Sequence, residues 1–103
     1  MAIMRGSTPT HIFQVDTDLT FVEVCYVTYK QGCVVLVEKE IGDITIKPDT
    51  LELTLTQMET LRFQNRKDQP VEIQIRARFP NGETLVSNIM KVQAEKVLKE
   101  GVI

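Results

Sequence analysis

The sequence predicts an all-β domain, and three observations carry that expectation. Apolar and polar residues alternate with period two in most segments. "LELTLT" sets Leu51, Leu53 and Leu55 against Glu52, Thr54 and Thr56, and "VEIQIRARF" collects Val71, Ile73, Ile75, Ala77 and Phe79 on one face. Turn-forming dipeptides separate such runs: Gln31-Gly32, Pro48-Asp49 and Asn81-Gly82. No segment offers the apolar stripe of a long amphipathic helix.

The elements follow in order. Residues 1–9 read as an N-terminal arm, and "THIFQV" begins a strand over 10–15. "TFVEVCYVTYK" (20–30) and "CVVLVEK" (33–40) are apolar on both faces in part, as suits central strands. "ITIK" (43–47) and "LELTLT" (51–56) form a hairpin about Pro48-Asp49, with Ile46 facing Leu51 and Thr45 facing Glu52. "TQME" matches a capping box, in which Thr56 and Glu59 bond each other's amides, so one helical turn is expected near 56–62. The last hairpin pairs 70–79 with 84–96, and 97–103 reads as a fraying tail.

Burial selects the register of that hairpin. A two-residue Asn81-Gly82 tip sets Ala77 against Val86, Ile73 against Met90, Val71 against Val92 and Glu72 against Lys91. A three-residue Pro-Asn-Gly loop shifts every pair by one and turns Lys91 into the core, at a cost exceeding any turn preference. The two-residue tip is therefore expected. It leaves Asn88 opposite Ile75 on the buried side, which either a bulge at Ser87-Asn88 or an amide bonded to the backbone there would resolve. In the Gln31-Gly32 hairpin, Cys33 lies opposite Lys30 and Cys25 near Glu38. Five residues along a strand span roughly 16 Å, so two free thiols are expected rather than a disulfide, which needs Cα atoms within about 7 Å.

About seven short antiparallel strands with one helical turn before the sixth predict a single immunoglobulin-like β-sandwich over 1–103. The cysteine pair and tryptophan of antibody domains are missing, so the expectation concerns architecture alone; a small β-barrel is the alternative. The net charge of −2 argues against general nucleic-acid binding. No apolar run reaches the length of a membrane span, and "MAIMRGSTPT" lacks the apolar core of a secretory signal.

Catalytic chemistry finds no constellation. His11 is the one histidine and has no recognisable partners; a structural or surface role is expected. The cysteines lack metal-ligand spacing. "DTD" (Asp16 to Asp18) has too few oxygen ligands for a calcium loop. Arg66, Lys67, Arg76, Arg78 and Lys91 read as solvated charges that protect a sheet. No enzyme, metal, cofactor or obligatory small molecule is expected. The apolar and aromatic surplus is more informative: one sheet can bury only one face inside a sandwich, so part of the other must meet a partner. The candidate interaction residues are Tyr26, Tyr29, Arg76, Arg78, Leu85 and Ile89.

Five segments, "MRGSTPTHIFQV", "VCYVTYKQG", "LELTLTQMETLRF", "VEIQIRARFPNGETLVSNI" and "KVLKEGV", cover most of the chain in order. They resemble a group of small proteins encoded in prophages of Gram-positive gut bacteria, among the virion structural genes of tailed phages. The resemblance implies a structural or accessory protein of the tail or neck region. Its partners would be other virion proteins or further copies of itself, and its location the host bacterial cytoplasm during assembly, or the virion. It supplies no functional residues. A module recognising carbohydrate or a host surface is the alternative, disfavoured by the 6% aromatic content. An intracellular regulator binding a protein by its edge strand is the third reading.

Overall fold

The structure, a computed structural model, describes residues 2–99 and 101–103. The strands are β1 (Ala2–Met4), β2 (Thr10–Gln14), β3 (Val24–Gln31), β4 (Val34–Glu40), β5 (Thr45–Ile46), β6 (Thr50–Thr54), β7 (Val71–Arg78), β8 (Thr84–Val86) and β9 (Met90–Glu95). A 3-10 turn, Ile41–Asp43, precedes β5, and the helical turn α1 (Gln57–Leu61) follows β6. The larger sheet has the order β1-β9-β7-β3-β4, with β8 also beside β7; the smaller is β2-β6-β5. In immunoglobulin lettering, β2, β6 and β5 take the places of B, E and D. The larger sheet takes G, F, C and C′, the variable-type arrangement. The expected sandwich is present.

The core forms between the sheets because alternation turns one face of each inward. Cys25, Val27 and Tyr29 of β3 and Val71, Ile73, Ile75 and Ala77 of β7 share one cluster with Phe13, Leu51 and Leu53 of the smaller sheet. Leu19 and Phe63, from the connections, are buried in the same cluster.

The first of four departures from expectation is at the N-terminus. Residues 1–9 are not simply an arm: β1 runs parallel to β9, with Ile3 beside Ala94 and fully buried. The sheet is therefore mixed rather than wholly antiparallel. Arg5 Nη2 donates to Leu61 O, and Thr60 Oγ1 accepts from Gly6 N, so the segment after β1 is tied to α1.

Second, the strand expected over 20–30 begins only at Val24. A turn closes before it, with Val22 N donating to Leu19 O. Third, the β3–β4 hairpin turns on Gly32-Cys33, not Gln31-Gly32: Gln31 pairs with Val34, and Gly32 has φ +62°. A glycine leading a two-residue tip suits the twist of the flanking strands. Gln31 stays in the strand because its buried amide clamps the 64–69 loop. Its Nε2 donates to Gln64 O and Gln69 O, and its Oε1 accepts from Gln64 N. The moved turn shifts the pairing by two residues and a slip at Leu36 by one more, so Glu38 faces Thr28 rather than Cys25. Both thiols are free, Cys25 buried and Cys33 exposed at the tip.

Fourth, the strand expected over 84–96 is broken in two. Near its tip the last hairpin has the three-residue loop that burial of Lys91 seemed to forbid. Phe79 N donates to Glu83 O, Gly82 N donates to Phe79 O, and Gly82 has φ +88°. Arg78 then faces Thr84 and Ala77 faces Leu85. Farther along, Ile73 faces Met90, Glu72 faces Lys91 and Val71 faces Val92, as expected. A bulge at Ser87-Asn88 absorbs the one-residue difference. Ser87 N donates to Ile75 O, while Ser87 Oγ accepts from Ile75 N. Both registers therefore occur, one on each side of the bulge, and Lys91 stays in water.

Candidate functional site

The outer face of the larger sheet is built by the residues that alternate with the core. Across β3 and β7 the pairs Val24–Arg78, Tyr26–Arg76, Thr28–Gln74 and Lys30–Glu72 lie side by side. None of these residues belongs to the core. Arg76 is the organising side chain. Its guanidinium lies 5.3 Å from the Tyr26 ring centroid, and its Nη2 is 2.9 Å from Glu38 Oε1. An exposed ion pair contributes less than about 1 kcal/mol, and an exposed cation–π contact is worth about 0.5–1 kcal/mol. Their effect is on geometry more than stability: they hold an aromatic ring, a cation and a carboxylate in one orientation. Beside them lies a recess of about 380 Å³ lined by Thr28, Lys30, Glu72, Gln74 and Ile89 among others.

The structure gathers four of the six expected residues here. Tyr26 and Arg76 are in contact, Arg78 is exposed one step along β7, and the half-exposed Ile89 borders the recess. The other two face the wrong way for this role. Leu85 turns inward opposite Ala77 and packs on the core, and Val86, 62% exposed, takes its place outside opposite Arg76. The three-residue loop causes that exchange. Tyr29 has no exposed surface at all. Its ring lies between His11 and Phe63, and its hydroxyl is 2.6 Å from His11 Nδ1. Burial, and secondarily the charge of Glu59, pushes the Tyr29 phenol well above its ordinary range. Glu38, Gln74 and Val86 were missed. Finding Glu38 requires the slip at Leu36, which leaves no mark in the residue pattern.

His11 is also inside, edge-on to Phe13, and burial lowers its pKa. Its Nε2 has no hydrogen-bond partner among the described residues. The surrounding aromatic rings make this a core pair rather than an accessible catalytic dyad. Asp18 accepts from the Thr20 hydroxyl and amide, which hold its carboxyl below the ordinary value. Among the described residues, no group of three or more His, Cys, Asp or Glu is placed to hold a metal ion. Among the described residues, no helix is long and apolar enough to cross a membrane.

No family model matches the sequence, and no curated protein matches it. Among solved structures, the chain is similar to the V domain of amphioxus IgVJ-C2 at a TM-score of 0.39 and 9% identity, covering 91% of this chain and 98% of that one.

Proposed function

We propose that this chain is a non-enzymatic protein-contact module, a structural or accessory part of a tailed-phage virion in the tail or neck region. It docks through the outer face of β4, β3 and β7. The observation that carries the docking reading is the Tyr26–Arg76–Glu38 cluster on a sheet face that no second layer covers. Tyrosine and arginine are enriched among the residues that anchor protein interfaces, and here Arg76 is already held by Tyr26 and Glu38, so less of its freedom remains to be lost on docking. The virion half of the reading is supported by the resemblance of the five sequence segments. The partners are then other virion proteins, met in the host bacterial cytoplasm.

Mass spectrometry of purified virions and of assembly intermediates tests this. The protein is expected in at least one of them; absence from both overturns the virion reading. The double variant Tyr26→Ala/Arg76→Glu is expected to lose incorporation while keeping its melting temperature, since both side chains lie outside the core. Undiminished incorporation overturns the assignment of the face.

A carbohydrate-recognising module is the second reading. It is favoured by the recess beside Tyr26, whose volume falls within the range of small-ligand sites and whose lining sets polar Thr28, Glu38, Glu72 and Gln74 beside apolar Val35 and Ile89. Saturable binding of a glycan, abolished by Gln74→Ala, would favour it over docking.

A further inference from the structure

The sandwich is open along one side. β2 pairs only with β6, so its other edge meets no strand. In the seven-strand pattern of this architecture a further strand lies there, but here the N-terminal strand runs with β9 in the other sheet. Facing the free edge, β8 and β9 are parted by the Ser87-Asn88 bulge. Between the two sides lies a groove of about 560 Å³, lined with apolar Phe13, Val15, Ile75, Leu85 and Met90. Ile12, 62% exposed, and Asn88 form its two lips.

The chain also carries an apolar segment that is largely exposed. Beyond β9, Leu98 and Ile103 are fully exposed and Val102 largely so. This tail leaves from the end of the sandwich far from the groove. Arg5 N donates to Glu95 O, and Ile103 N donates to Gln57 Oε1 of α1. The groove runs toward the opposite end, where Val15 N donates to Asp49 O. Met90, in the groove, and Glu95 are separated by the length of β9, roughly 16 Å at 3.3 Å per residue, and the chain heads away. A chain's own tail is therefore poorly placed to fill its groove, whereas the tail of a neighbour stacked end to end is well placed. The charges agree. Asp16 lines the groove mouth, and Asp49 O accepts from Val15 N beside it, while Lys96 and Lys99 bracket Val97-Leu98 and outnumber the one Glu100 in the tail.

We infer that the groove receives the tail of a second copy, residues 97–99 foremost, added beside β2 with Val97 and Leu98 toward the groove floor. The contact uses different surfaces on the two copies, so it propagates head to tail into a ring or filament instead of closing as a two-fold dimer. It is independent of the docking face described above.

Sedimentation velocity over a wide concentration range, on the full chain, tests it. The wild-type mass is expected to grow with concentration. Leu98→Asp in the tail, and Ile12→Lys/Asn88→Lys on the lips, are each expected to leave monomers. All three residues are exposed, and unchanged thermal melts verify the folds. Mixed in equal amounts, the two variants are expected to form pairs that grow no further, because one intact tail meets one intact groove. Tyr26→Ala/Arg76→Glu is expected to associate like wild type. The inference is overturned by a wild type that stays monomeric, by either blocked variant associating normally, by a mixture that does not pair, or by loss of association in the Tyr26/Arg76 variant.

Discussion

At the scale of single residues, the His11–Tyr29 pair makes the clearest demand on the protein. His11 is buried, and its pKa is lowered because burial penalises the charged ring. The folded state then holds fewer protons than the unfolded state below the ordinary histidine range. Its stabilising contribution is complete above about pH 6.5 and is lost as pH falls toward the depressed folded value. Urea melts at pH 7 and pH 5 are expected to show a lower midpoint at pH 5, and His11→Phe is expected to flatten that difference. His11→Phe alone leaves the Tyr29 hydroxyl unpaired in the core, which costs about 1–3 kcal/mol. Adding Tyr29→Phe is expected to recover much of the loss, since neither polar group then remains. Nothing in the sequence joins these two residues. Alternation places His11 with Phe13, but the bond to Tyr29 crosses from one sheet to the other. The burial of Tyr29 itself was legible: it shares the parity of Cys25 and Val27 in β3, opposite to that of Tyr26, so the two tyrosines cannot face the same way.

Single elements show which local rules were sufficient. The capping box of α1 was legible because it is wholly local: Thr56 Oγ1 accepts from Glu59 N, and Glu59 Oε1 accepts from Thr56 N. Burial works to raise the Glu59 pKa, but Lys39 Nζ at 2.8 Å and the Thr56 amide and hydroxyl outweigh it and hold the carboxyl below its ordinary value. Thr56→Ala is expected to destabilise the protein by about 1 kcal/mol, read from denaturant midpoints. The last hairpin was half legible. Burial identified the lower register and the residue where alternation fails. It offered a bulge there but rejected the three-residue loop beyond it, because each half satisfies the pattern by itself and only the bulge lets both coexist. Ser87 performs the change, its hydroxyl accepting from Ile75 N and donating to Asn88 O. Ser87→Ala is expected to cost about 1–2 kcal/mol by leaving a partly buried amide unpaired. It should also raise hydrogen exchange at Ile75 above that of its strand neighbours.

For the whole molecule, class and sandwich were readable because alternation and turn chemistry act on every strand at once. The N-terminal strand was not, since "AIM" is too short to carry a period and its partner lies at the other end of the chain. Yet Ile3 is among the most buried side chains. Ile3→Ala is expected to lower stability by about 2–5 kcal/mol, the ordinary cost of a core truncation, measured by thermal melts. A loss below 1 kcal/mol would mean that β1 is a dispensable arm after all. The outer face of β3 and β7 proposed for docking was legible in Tyr26, Arg76 and Arg78, which alternation turns outward, and illegible in Glu38, which depends on the slip in β4.

The pairing of β1 with β9 also bears on how the chain is made. A ribosome adds about 5–20 residues per second, and of the strands described β9 is delivered last. Until then Ile3 stands in water, and β7 lacks most of its outer neighbour. Contacts between strands so distant in sequence close late and slowly. The sandwich is thus completed as its final strand leaves the exit tunnel. A nascent chain stalled before Met90 is expected to be open to proteases along its whole length, with no folded half already secure.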